Sequence, residues 1–160
     1  MRTFAVLSDS AESTRKLGQA IGERFSGGET VLLSGPLGAG KTTLVQGIAA
    51  GLGVRGSVQS PSFVLERIHR GRLILRHLDF YRLSPAEVAE AGLLEERCES
   101  DVTVVEWAER AGEIPDATLR ILLSIVPGMT EGRTIVIEAV APEWEEKVDD
   151  AVRESGVQRA

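Results

Sequence analysis

Residues 35–42 read Gly-Pro-Leu-Gly-Ala-Gly-Lys-Thr, the spacing G-x-x-x-x-G-K-T, and that spacing can hold a phosphate chain. Successive backbone N–H groups must converge on phosphate oxygens, which requires conformations that side chains obstruct. Gly35, Gly38 and Gly40 remove the obstruction, while Ala39 contributes its own amide. A helix that begins here aims its unpaired N–H groups and partial positive charge at the same anion. Lys41 adds a mobile full charge for the β- and γ-phosphates, and the Thr42 hydroxyl is suited to a Mg²⁺ ion. Thr43 follows as a helix residue facing either the core or the phosphate end.

Binding alone does not give hydrolysis, which also needs an acid for the metal and a group that places water. Two acids end extended runs: Asp79 after Leu73–Leu78 and Glu106 after Val102–Val105. The second run is more apolar and fits a central strand beside the one that feeds the glycine loop. An acid at its C-terminal tip lies in the ligand crevice of an open α/β sheet. Glu106 is therefore preferred as the direct or water-mediated metal partner. Asp79 is left to hold or activate water, or to support the metal from behind. Trp107, next to Glu106, is placed either to line the site or to fill core.

The elements that must position these groups can be read from the pattern of residue types. Thr3–Leu7 is a short extended segment, and Asp9 or Ser10 caps a helix carrying Leu17, Ile21 and Phe25 on one face up to Gly27-Gly28. The apolar run Val31-Leu32-Leu33 reads as a strand buried on both faces, and Thr42–Ala50 as the helix after the loop. Phe63–Asp79 alternates about an Arg70-Gly71 turn, as an antiparallel hairpin with one exposed face would. Ser84-Pro85-Ala86-Glu87 is a helix start with cap, first-turn proline and capping glutamate, and Gly92 ends that helix. Leu119–Val126 and Thr134–Ala139 read as two late strands. Pro142 opens a charged C-terminal helix to about Arg153, beyond which the chain is expected to fray. Helices alternating with strands predict one α/β domain over residues 1–160, a P-loop NTPase-like three-layer fold with a mixed, mostly parallel sheet and an antiparallel hairpin.

The bulk composition narrows the function. A chain of 160 residues with net charge −6 and pI near 5.0 lacks the basic character of a protein that grips bare nucleic acid. Arg67, Arg70, Arg72 and Arg76 cluster on the hairpin, where a solvated face is preferred over a binding patch. Cys98 is the one cysteine, so an internal disulfide is impossible, and with no partner histidine near it in sequence it reads as a buried or incidental thiol. No apolar run approaches a membrane span and no leader-like segment opens the chain, which together predict a cytoplasmic protein without membrane contact.

Four blocks in order then carry a resemblance: Gly35–Thr43, Ser60-Pro61-Ser62-Phe63, His77-Leu78-Asp79-Phe80-Tyr81-Arg82-Leu83 and Val105-Glu106-Trp107. Together they resemble the TsaE (YjeE) family, bacterial ATPases of tRNA threonylcarbamoyladenosine biosynthesis. The resemblance implies ATP held by the loop, with Thr42 and Glu106 ligating Mg²⁺. It implies Ser62 in a segment sensing the γ-phosphate, with the hydroxyl kept where members often carry Thr. Asp79, Tyr81 and Arg82 would serve catalysis or coupling, Trp107 matches the family's tryptophan, and Arg133 would lie against the base, which the segment near Ser10–Ala11 also approaches. It further implies work on TsaD-like and TsaB-like proteins of the tRNA-modifying complex, with tRNA engaged only indirectly. Lys41, Asp79 and Glu106 are the catalytic candidates. No Gln or Arg is plainly placed to complete the site, which suggests slow turnover until a partner docks. A small-molecule kinase and a nucleotide-dependent switch with negligible hydrolysis are the competing functions.

Overall fold

The computed structural model describes residues 1–61 and 64–160. Among these residues eight strands form one sheet: β1 (Arg2–Ser8), β2 (Thr30–Ser34), β3 (Glu66–Arg70), β4 (Ile74–Asp79), β5 (Asp101–Glu106), β6 (Leu119–Ile125), β7 (Arg133–Ala139) and β8 (Gln158–Arg159). Among the described residues four α-helices accompany them: α1 (Ala11–Gly22), α2 (Lys41–Gly51), α3 (Pro85–Ala91) and α4 (Trp144–Ser155). The strand order is β3-β4-β5-β2-β6-β7-β1-β8. The four strands β4, β5, β2 and β6 run parallel, and the pairings outside them are antiparallel. The sheet is thus mixed with a parallel centre, and β5 lies directly beside β2 as its apolar run predicts.

Two cores flank the sheet. On one face α1, α2 and α4 pack Leu17, Leu44, Ile48 and Val148 on Val31, Leu33, Val104 and Ile137. On the other, Val88 of α3 and Ala108 of a short 3₁₀ turn cover Leu32, Leu78 and Val105. Strand β2 therefore sends alternate residues into two different cores, which is why it reads as continuously apolar. Strand β6 alternates buried and part-exposed residues, so its second face stays partly open to solvent. Among the described residues no helix is long and apolar enough to cross a membrane.

The contact that fixes α2 is made by backbone. An added Cβ at Gly18 would lie 2.4 Å from the Leu44 carbonyl oxygen, at Gly22 2.4 Å from that of Ile48, at Gly47 2.2 Å from that of Arg15 and at Gly51 2.4 Å from that of Gln19. Glycines spaced four apart on both helices let the two backbones touch. Gly47→Ala gains helix propensity of up to about 1 kcal/mol, but its methyl meets main-chain atoms that cannot rotate away. We expect a net loss of about 1–3 kcal/mol, seen as a lower urea midpoint at unchanged m.

Several local expectations shift. Helix α1 stops at Gly22, short of Gly27-Gly28, and the chain tightens through Arg24 N–H to Ile21 O and Phe25 N–H to Gly22 O. The hairpin does not keep an exposed face on its second strand, since β4 is buried on both sides between β3 and β5. Its arginines divide accordingly. Arg72 donates to the carbonyls of Phe25 and Gly22, and Arg76, 4% exposed, bonds Glu66 and the Leu93 carbonyl. Those two are internal staples and form neither a solvated face nor a patch. Cys98 is exposed rather than buried. The chain end, expected to fray after about residue 153, continues α4 to Ser155, buries Val157 and adds β8 to β1. The free edge of β1 supplies the hydrogen bonds that hold it, including Ala160 N–H to Ala5 O.

Candidate functional site

The glycine loop spans the gap between the C-terminal end of β2 and the start of α2. Gly35, Gly38 and Gly40 have φ of 140°, 78° and 99°, values that L side chains rarely adopt. At Gly35 a Cβ would also lie 2.3 Å from the Leu123 carbonyl oxygen, so the loop leaves β2 pressed against β6. At Gly38 a Cβ would meet nothing within 4 Å: this glycine faces open space and is required for its backbone conformation.

Lys41 folds back beneath the loop and donates to the carbonyls of Gly35 (2.6 Å) and Pro36 (2.9 Å). Its ammonium lies 4.1 Å from the centre of the Trp107 ring, within reach of the ring's negative face. Burial pushes the Lys41 pKa down from its ordinary value, and the charges of Glu106, Glu109 and Asp79 oppose that shift. The Trp107 ring in turn packs against Tyr81 in a tilted contact, centroids 4.7 Å apart and planes at 38°. Trp107 has φ 57° and ψ 43°, a left-handed conformation that is costly for an aromatic residue. It turns the chain sharply off the tip of β5 and brings the indole over Lys41.

Register puts the acids side by side. Asp79 pairs with Glu106 across β4 and β5, and Leu33 pairs with Glu106 across β2 and β5. The Thr42 hydroxyl donates to Glu106 at 3.0 Å to Oε1 and 3.1 Å to Oε2. His77 Nε2 lies 2.5 Å from Glu106 Oε2. Asp79 is oriented at both oxygens, accepting from Ser60 Oγ at 2.8 Å and from the Tyr81 N–H at 2.9 Å. Lys41, Thr42, Asp79, Glu106 and Trp107 line one cavity of about 320 Å³, together with Gly38, Ala39, Gly40 and Thr43. Gly35 stands behind it as the seat for Lys41. Ser62 lies outside the described residues.

Arg133 opens a second, adjoining hollow. With Ala11, Thr14, Gly40, Thr43 and Glu131 it lines a cavity of about 50 Å³. Its guanidinium bonds the carbonyls of Gly38, Ala39, Thr130 and Gly132. Two of those are loop carbonyls, so Arg133 holds the loop from behind, while the Ala39 N–H donates to the Pro36 carbonyl at 3.1 Å. Sequence reasoning assigned no role to His77 and left that of Tyr81 open. Both lie in the block after β4 begins, but only strand register shows that one reaches Glu106 and the other Trp107.

The donor chemistry suits a hard divalent ion with a nucleotide. A hydroxyl that donates its hydrogen to Glu106 keeps its oxygen lone pairs for a cation, and oxygen ligands suit Mg²⁺. Among the described residues no group of three His, Cys, Asp or Glu side chains could cage a metal.

A sheet with a parallel centre, helices on both faces and a glycine loop between the central strand and its helix define a P-loop NTPase-like α/β protein. The chain belongs to the TsaE family: the model for threonylcarbamoyl adenosine biosynthesis protein TsaE matches residues 8–135. It is 40% identical over 122 residues to the tRNA threonylcarbamoyladenosine biosynthesis protein TsaE of Treponema pallidum, covering 75% of this chain and 90% of that one. Its identity to the protein of the same name from Streptomyces coelicolor is 39% over 137 residues, covering 81% and 93%. The crystal structure of Bacillus subtilis YdiB superposes with a TM-score of 0.77 at 25% identity, over 97% of each chain.

Proposed function

We propose that this chain binds Mg-ATP in the cleft between the glycine loop and the tips of β4 and β5, and hydrolyses it slowly. In this reading hydrolysis supports threonylcarbamoyladenosine modification of tRNA in the cytoplasm, by acting on TsaB- and TsaD-like partners. The observation that carries it is the Thr42–Glu106 hydrogen bond across the mouth of the loop. It joins a metal-competent hydroxyl to an acid, directly beside a lysine already facing the same cavity. The names of the T. pallidum and S. coelicolor relatives supply the pathway.

Lys41 would leave its two carbonyl acceptors for phosphate oxygens, and the loop amides would bind the β-phosphate. Mg²⁺, when bound, neutralises charge developing on the phosphate oxygens. Glu106 would hold the Thr42 hydroxyl in the orientation the ion needs. Asp79, fixed by Ser60 and by the Tyr81 amide, presents a carboxylate that can accept a proton from water or hold that water in line. Trp107 and Tyr81 would form one wall of the cleft, and Arg133 would hold the loop and border the base. Ser60 ties the segment after α2 to Asp79, so a γ-phosphate sensed by Ser62 has a route to the attacking water. The test is calorimetry with Mg-ATP followed by steady-state turnover, alone and with the two partners. Saturable binding with turnover that rises on partner addition is expected. No heat of association at millimolar nucleotide would sink the proposal.

A further inference from the structure

His77 is 0% exposed, yet it is an odd residue to choose for filling space there. Among the described residues its buried Nδ1 has no hydrogen-bond partner, and an unsatisfied buried polar atom costs about 1–3 kcal/mol. An apolar side chain of similar volume would avoid that cost. What the imidazole has is one bond, from Nε2 to Glu106 Oε2 at 2.5 Å. A carboxylate only accepts, so the ring nitrogen donates.

The bond follows from register. His77 pairs with Val104 across the parallel β4–β5 ladder, and Glu106 is the next residue on the same face. Its donor is therefore carried by the sheet, whereas Thr42 sits at the first turn of α2. Glu106, 3% exposed, is gripped from both sides. The two grips are not equivalent. In the Mg-ATP reading, on which this inference rests, the Thr42 oxygen is shared with the cation and its hydroxyl geometry must adjust. His77 meets neither nucleotide nor cation, because it does not line the cavity.

We infer that His77 is a positioning residue for the metal-dependent step: its Nε2–H fixes the Glu106 carboxylate, so that Thr42 and Glu106 present a ready-made pair to the divalent ion. Groups that orient metal-site carboxylates from behind are worth about 10–100-fold in metal affinity or activity.

The experiment compares wild type, His77→Leu, His77→Gln and Glu106→Gln. Calorimetry measures binding of a non-hydrolysable ATP analogue in EDTA and again in Mg²⁺, with Mg²⁺ titrations of turnover alongside. His77→Leu is expected to bind the analogue normally in EDTA but to lose about tenfold of the affinity gained with Mg²⁺. It should also need about tenfold more Mg²⁺ for half-maximal turnover. His77→Gln, whose amide can donate from a similar reach, is expected to recover most of both. A His77→Leu protein with the wild-type Mg²⁺ response overturns the inference, as does equal impairment of the Leu and Gln variants, which would mark a packing role. If the Leu variant does not fold, a Gln variant with fully wild-type metal response supports the donor, and one with none refutes it. Glu106→Gln separates the two levels. A normal metal response there removes Glu106 from the metal site and with it the reading on which this inference rests, while an impaired Glu106→Gln beside a normal His77→Leu sinks only the role of His77.

Discussion

Lys41→Ala is expected to weaken Mg-ATP association by about 100-fold and to leave the fold intact, as measured by calorimetry and thermal unfolding. Among the described residues its ammonium is the one full positive charge lining the cavity, against Glu106 and Asp79. Removing it deletes charge-assisted bonds of about 1.5–3 kcal/mol to a phosphate oxygen. It also leaves the two carboxylates facing the triphosphate without a counter-charge. The fold should tolerate the loss: the Gly35 and Pro36 carbonyls lose a donor, but the charge itself is held against the cost of burial. Burial holds its pKa below the ordinary 10.5, so the folded chain binds that proton less tightly than the unfolded chain does. The cation is therefore a net cost to folding at neutral pH, and the cost declines as pH rises from the lowered value toward 10.5. Lys41→Met, which keeps the stem under Trp107, is expected to melt no lower than wild type. A Lys41→Ala protein with undiminished affinity would mean that the loop is an ordinary turn.

How much of this arrangement is legible in the sequence depends on whether its cause is local. The cap at Ser84, the proline and glutamate behind it and the stop at Gly92 act within one turn, and the observed capping box and left-handed Gly92 match them residue for residue. The glycine loop is equally local: its φ values are demanded by its own backbone. By contrast, Gly18, Gly22, Gly47 and Gly51 look like poor helix residues, and Gly51 reads as a mere stop. Their purpose appears only when α1 is laid on α2. The burial of β4 was hidden for a similar reason. Alternation between Leu75 and Arg76 resembles a half-exposed strand, but Arg76 is neutralised by Glu66 and roofed by the Leu93 segment, 17 residues further on. The end of α1 and the pairing of β8 are likewise decided by tertiary partners.

The same division runs through the site. Lys41, Thr42, Glu106 and Asp79 are recognisable because each sits at the end of an element whose direction is set by its own residues. What no linear pattern conveys is which side chains support them. Asp79 meets Ser60 from 19 residues upstream, Glu106 meets His77 from 29, and Arg133 reaches back 94 residues to the Ala39 carbonyl. Such contacts are properties of register and of loop path. They explain why the reactive groups of a cleft are easier to identify from sequence than the groups that hold them still.

Glu106→Gln is expected to lower kcat by about 10²–10³-fold while leaving nucleotide affinity in EDTA within about threefold of wild type. Gln matches Glu in size, so packing at the tip of β5 is unchanged, and its carbonyl can still accept from either Thr42 or His77. It cannot accept from both with a full negative charge. The Thr42 hydroxyl loses its strong acceptor, and on the proposed Mg-ATP reading the developing charge on the γ-phosphate would lose the ion assigned to Thr42 and Glu106. Lys41 also loses the largest of the three charges that favour its protonated form, so affinity at alkaline pH should fall earlier than in wild type. Single-turnover measurements with saturating nucleotide isolate the chemical step from product release and from partner docking. A kcat within a factor of about three of wild type would remove Glu106 from the reaction, whatever the effect on binding. Loss of kcat together with retained docking of the partner proteins would show that binding and hydrolysis are separable in this fold, because Ser60 and Asp79, which link the loop after α2 to the cleft, are untouched by the substitution.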